Sequence, residues 1–153
     1  MKPKLLVSAC LLGTPCRYDG KSKKNEAVCA LAERFELIPV CPEVLGGLPT
    51  PRTPSERRGA CVVRKDGRDV TAEYRRGAEC ALETAQREGV LAAVLKERSP
   101  SCGSGEIYDG TFTGALTAGD GVTAELLKSN GITVYGEGEQ ILAEFLCSVS
   151  HST

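Results

Sequence analysis

Val90-Leu91-Ala92-Ala93-Val94-Leu95-Lys96-Glu97-Arg98-Ser99-Pro100-Ser101-Cys102-Gly103 passes from a wholly apolar run into a polar loop carrying a thiol, two hydroxyls and three charges. A short apolar run that ends at Pro and Gly reads as a buried strand, and the loop beyond its carboxyl end is where open parallel sheets keep their ligands. Two other runs end in the same way. Leu5-Leu6-Val7-Ser8-Ala9 stops at Cys10, and Leu37-Ile38-Pro39-Val40 stops at Cys41, so three cysteines from distant parts of the chain are expected at one edge of a sheet.

Helical patterns separate these strands. Asn25 to Phe35 has apolar residues at helical spacing with Asn25 as N-cap, and a helix from about Ala72 to Arg87 follows Thr71 or Asp69 as cap and stops at Gly89. Val122 to Ser129 reads as a short helix closed by Asn130-Gly131, Ile132 to Tyr135 as a fourth strand, and Glu139 to Val149 as a final helix. Ala60 to Val70 reads as a hairpin with Asp66-Gly67 at its turn. A long loop runs from Cys41-Pro42-Glu43 to Pro54; loops of that length inside a domain are usually functional or disordered, and its prolines and glycines argue for a shaped one. The alternation predicts an α/β fold: a single domain with a mainly parallel four-stranded sheet, helices on both faces and a small β-hairpin.

The 153 residues can bury a core without disulfides. With 19 basic and 20 acidic residues interspersed and a net charge of -1, no global field favours nucleic acid or a membrane surface, so a small-molecule partner is expected. The apolar run after Met1-Lys2-Pro3-Lys4 is shorter than the roughly 7–15 residues of a signal core, and no stretch reaches transmembrane length. The chain therefore reads as cytoplasmic, with its thiols reduced.

Eight cysteines are many for such a setting. Cys29, Cys80 and Cys147 belong to helical patterns and Cys61 to a strand, where a cysteine is usually a small buried hydrophobe. Cys10, Cys41 and Cys102 stand at strand ends, and Cys16, in the turn-rich loop after the first strand, can reach the same crevice. Zinc normally takes closely paired ligands, which are absent, and the only histidine, His151, sits in a polar tail. Without a histidine there is no Cys-His dyad, so a general base must be a carboxylate or water. Dispersed thiolates suit an iron–sulfur cluster, and three ligands in place of four would leave one iron open to substrate.

The segments Val7-Ser8-Ala9-Cys10-Leu11-Leu12-Gly13, Cys16-Arg17-Tyr18-Asp19-Gly20, Cys41-Pro42-Glu43 with Gly46-Gly47-Leu48 and Pro51-Arg52, Lys96 to Gly103, and Tyr108-Asp109-Gly110-Thr111-Phe112 closely resemble the bacterial thiouracil desulfidase family from about Lys4 to Tyr135. The resemblance implies a 4Fe-4S cluster held by Cys10, Cys41 and Cys102, with Cys16 outside the ligand set. Its open iron would take sulfur from a thiolated uracil without net redox change. It also implies a substrate such as free thiouracil or 4-thiouridine monophosphate, since relatives that act on transfer RNA carry a further domain. Glu43, two residues from a ligand, is then the expected general base, with Ser99 or Ser101 hydrogen-bonding the ring or the developing oxyanion. A substrate phosphate would draw on Arg17, Arg52, Lys96, Arg98 and the Gly103-Ser104-Gly105 segment. The rival readings are a cluster-dependent dehydratase and a non-catalytic electron-transfer or metal-binding module whose shell Cys16 would close.

Overall fold

β1 (Lys4–Ser8) and β5 (Ala92–Leu95) lie side by side at the middle of a parallel sheet, flanked by β2 (Glu36–Val40) and β8 (Val134–Gly136), giving the order β2-β1-β5-β8. The structure, a computed structural model, describes residues 2–138. The predicted final helix over Glu139 to Val149, with Cys147 and His151, lies outside these residues. Lys4 to Ser8 pair in register with Glu36 to Val40, and Leu5 to Val7 pair with Ala92 to Val94 on the other side. The two middle strands are apolar without alternation because both faces are covered. Leu5, Val7, Ala92 and Val94 pack on Val28, Leu31 and Phe35, whereas Leu6, Ala93, Leu95 and Val134 pack on Ala85, Ala124 and Leu127.

The first layer comes from α1 (Glu26–Cys29) and the 3-10 turn Ala30–Glu33, so the helix predicted over Asn25 to Phe35 tightens halfway. Its start is as expected, since Asn25 Oδ1 accepts the N–H of Val28. The second layer is α3 (Thr71–Glu88), ended by Gly89 at φ 64, with α4 (Val122–Ser129) beside it. Val70 takes the N-cap position of α3 while Asp69 Oδ1 accepts the N–H of Thr71.

Two further ribbons accompany the predicted hairpin. β4 (Cys61–Arg64) pairs with the upstream β3 (Ser55–Arg58), and on its other side the Asp66-Gly67 turn folds the chain back through the bridge Val63 to Asp69, with the N–H groups of Arg64 and Val70 donating to the carbonyls of Arg68 and Val62. In the upstream ribbon Glu56 is buried, and its Oε1 accepts the N–H groups of Gly110 and Phe112. β6 (Glu106–Tyr108) and β7 (Leu116–Ala118) form an antiparallel pair in a stretch that reads as loop.

One contact positions everything that follows. α2 (Pro42–Leu45) begins directly after β2 and lies against α3, backbone to backbone. A Cβ on Gly77 would stand 1.8 Å from the Pro42 carbonyl oxygen, and one on Gly46 would stand 2.0 Å from that of Glu73. Only glycine permits this approach.

Candidate active site

The chain goes from β1 to β2 on one side and later to β5 on the other, so the strand order reverses beside β1. Sheets of this kind open a crevice at that point, beyond the carboxyl ends of the strands. Here the crevice is a cavity of about 450 Å³, and Cys10, Cys16, Cys41 and Cys102 all line it.

Each thiol is placed by local chemistry. Cys10 sits in the 3-10 turn Ala9–Leu12, which Gly13 closes at φ 103. Cys41 occupies the N-cap of α2, with Pro42 at the first helical position where its missing N–H costs nothing. Cys102 follows a turn in which Ser99 Oγ accepts the N–H groups of Ser101 at 3.0 Å and Cys102 at 3.1 Å. Gly103 keeps this turn tight, because a Cβ there would meet Ile107 Cγ2 at 2.7 Å and the Ser99 carbonyl oxygen at 2.8 Å.

Cys10, Cys16 and Cys102 are buried and Cys41 is half-buried. Cys16 stands between two of the others: hydrogen bonding with the Cys10 thiol pushes its own proton affinity up, and hydrogen bonding with the Cys41 thiol acts the other way. The Cys41 thiol is pushed up first by hydrogen bonding with Cys16 and then by burial. Burial, followed by the charge of Glu43, pushes Cys102 up to about 12. As thiols, then, Cys16, Cys41 and Cys102 keep their protons, and binding a metal would release them. The donor set suits an iron–sulfur cluster chemically, being soft sulfur with no histidine among the described residues that line the cavity. Among the described residues, no group of three Cys, His, Asp or Glu side chains closes to the spacing of a single ion.

Glu43 projects from α2 into the same cavity. Its Oε2 accepts the Arg52 Nε–H at 3.2 Å and the Tyr74 hydroxyl at 3.0 Å, and Arg52 Nη2 lies 3.1 Å away. Arg52 also donates to the carbonyl oxygens of Cys16 and Pro49 and to Thr50 Oγ1. Every nitrogen of that guanidinium is therefore engaged within the protein.

The predicted hydroxyls separate. Ser99 lines the cavity, whereas Ser101 is fully buried with its hydroxyl hydrogen-bonded to Thr123 at 2.8 Å and does not reach it. The buried backbone at Ser101 also packs under Gly121, where a Cβ would come within 2.4 Å. Of the predicted cations, Arg17, Arg52, Lys96 and Arg98 line the cavity. Lys96 is ion-paired to Glu137 at 2.7 Å, and Arg98, at φ 68, lies 4.0 Å from Glu106. Arg17 stacks 5.6 Å over the Tyr18 ring and stands 3.7 Å from Asp19. Ser104 lines a second pocket of about 380 Å³ with Glu97, Arg98 and Glu106.

Three lining residues are absent from the sequence reading: Lys23, Ser55 and Tyr74. Lys23 belongs to a charged run that resembles an ordinary solvated surface, yet its N–H donates to the Cys10 carbonyl at 2.9 Å and so holds the run against the thiols. Tyr74 falls on the apolar stripe of α3 with Ala78, Ala81 and Ala85, where only its hydroxyl signals a need for a partner. Tyr108, quoted from the sequence only as part of a motif, lines the cavity from β6.

Known proteins share this chain's sequence pattern and fold. Residues 5–139 match the model of the 2-thiouracil desulfurase family. A Bacillus subtilis (strain 168) protein, the uncharacterized protein YbbK, is 44% identical over 145 residues, spanning 88% of this chain and 96% of its own length. A solved structure of a 4Fe-4S-dependent thiouracil desulfidase, TudS, superposes with a TM-score of 0.89 at 51% identity, covering 97% of this chain and 99% of that one.

Proposed function

This chain belongs to the 2-thiouracil desulfurase family, and from that premise we propose that it replaces the sulfur of a thiolated uracil by oxygen. The reaction takes up one water and releases hydrosulfide, so the carbon changes partner without net redox change. The observation that carries the reading is the meeting of the strand-end thiols Cys10, Cys41 and Cys102 with the carboxylate of Glu43 on one cavity. Those three thiols are assigned as the protein ligands of a 4Fe-4S cluster. When bound, such a cluster supplies a soft Lewis acid for a thiocarbonyl sulfur at the iron without a protein ligand.

The chain's own residues do the rest. Glu43 accepts a proton from the attacking water as general base. The Ser99 oxygen is held by two backbone N–H groups, which leaves its hydroxyl proton to donate to the ring or to the oxygen that becomes negative. Ser101, committed to Thr123, supports the turn and does not touch substrate. The substrate is free 4-thiouracil or 4-thiouridine monophosphate. For the nucleotide, the anchors are Arg17, Lys23 and Arg98, because Arg52 and Lys96 are already closely paired with Glu43 and Glu137.

Cys16 gives a second reading its footing, since it lines the cavity with the other thiols and could close the shell as a fourth ligand of an electron-transfer centre. One experiment separates the two. The protein is reconstituted anaerobically with iron and sulfide, its iron content is measured, and it is incubated with 4-thiouridine monophosphate while released sulfide is assayed. The desulfidase reading expects sulfide release that is lost, with iron, in Cys10→Ser, Cys41→Ser and Cys102→Ser but kept in Cys16→Ser. Loss of iron in Cys16→Ser, with no sulfide from the wild type, would replace it with the closed centre.

A further inference from the structure

Glu43 is held asymmetrically. Arg52 Nε, Arg52 Nη2 and the Tyr74 hydroxyl all converge on Oε2, at 3.2, 3.1 and 3.0 Å, while Oε1 has no hydrogen-bond partner among the described residues. A purely structural Arg–carboxylate pair normally uses the two-pronged geometry, one nitrogen to each oxygen. Here the fork closes on a single oxygen and the second prong continues to the Cys16 carbonyl at 3.0 Å.

The supports are rigid. Tyr74 is 2% exposed on α3, and the Arg52 side chain is 7% exposed. The close α2–α3 approach at Gly46 and Gly77 sets the distance between the Tyr74 hydroxyl and the carboxylate. A buried tyrosine hydroxyl needs a partner, and among the described residues this one takes Glu43.

We infer that Tyr74 and Arg52 are positioning residues that fix Glu43 Oε2 and so present Oε1 to the reacting water. The inference rests on the proposal that Glu43 is the general base. It also removes Arg52 from the set of substrate anchors. The charged and titratable groups facing the carboxylate are Arg52 from the loop, Tyr74 from α3, and the thiols of Cys41 and Cys102 from the ends of β2 and β5.

The test uses cluster-loaded, anaerobic enzyme. Tyr74→Phe removes one hydroxyl and leaves the ring. It is expected to lower kcat roughly 10- to 100-fold, the range for a lost hydrogen bond to a charged group, with KM unchanged within about twofold. A residue that only holds the fold would lower iron content and the melting temperature together with kcat, whereas a positioning residue lowers kcat and leaves KM, iron content and melting temperature in place. If Tyr74→Phe fails to retain iron, Arg52→Lys decides in its place, with the same split expected. Wild-type kcat in the iron-loaded variant overturns the inference, provided Glu43→Ala is inactive. Wild-type turnover by iron-loaded Glu43→Ala would instead overturn the base assignment beneath it.

Discussion

Gly77→Ala sets two well-defined effects against each other. Gly77 lies inside α3, and replacing glycine by alanine in a helix interior is worth about 1 kcal/mol in favour of the helix. The added methyl, however, would stand 1.8 Å from the Pro42 carbonyl oxygen and 2.7 Å from its carbon. Both atoms are backbone, so no side chain can rotate away. Restoring ordinary contact requires the two helices to part by roughly 1.5 Å. Overpacking of this kind costs about 3 kcal/mol at the upper end of its usual range, leaving a net loss of about 2 kcal/mol. For a chain of this size that lowers Tm by roughly 4–8 °C. The same movement displaces Cys41 and Glu43, and a misplacement of about 1 Å is enough to reduce turnover about 100-fold. The assay is a thermal melt of the metal-free protein together with iron content and sulfide release after reconstitution. A variant that melts higher than the wild type and loads iron normally would refute the reasoning, since helix propensity alone would then have decided the outcome.

Asn25→Ala removes the side-chain acceptor of the Val28 N–H and is expected to cost about 1 kcal/mol, read as a lower urea midpoint with unchanged slope. Asp120 accepts the Gly105 N–H and an ion pair from Lys128, which together outweigh the upward push of burial and hold its carboxyl below the ordinary value. Its contribution is therefore complete above the unfolded value of about 3.9 and fades as pH falls through the depressed folded one. Asp120→Asn should melt below the wild type at neutral pH, and the two melting curves should converge in acid; a gap that persists at pH 2 would contradict this.

What the sequence disclosed and what it withheld divide along physical lines. The four parallel strands were legible because each is an apolar run cut off by turn formers, and α4 spans Val122–Ser129 as its Gly121 and Asn130-Gly131 boundaries indicate. The β3 strand was not, since Ser55-Glu56-Arg57-Arg58 has no apolar alternation and is recruited by the buried bonds of Glu56. The three strand-end thiols were visible for the same reason as the strands. Which of two neighbouring serines faces the cavity was not, because Ser99 and Ser101 differ only in that Thr123 from α4 reaches one of them. Tyr74 and Lys23 likewise gain their meaning from packing between elements far apart in the chain.

The spacing of the thiols has a consequence for how the molecule is assembled. Cys10, Cys41 and Cys102 follow three separate strands, and no two of them are close in sequence. In a zinc finger the ligands are near neighbours, so metal capture and folding are one event. Here the unfolded chain offers no chelate, and closing the loops between the thiols costs entropy that a metal would have to supply alone. The hydrophobic sheet supplies it first. The protein is thus a receptacle finished before its contents arrive, and it should keep its fold when emptied.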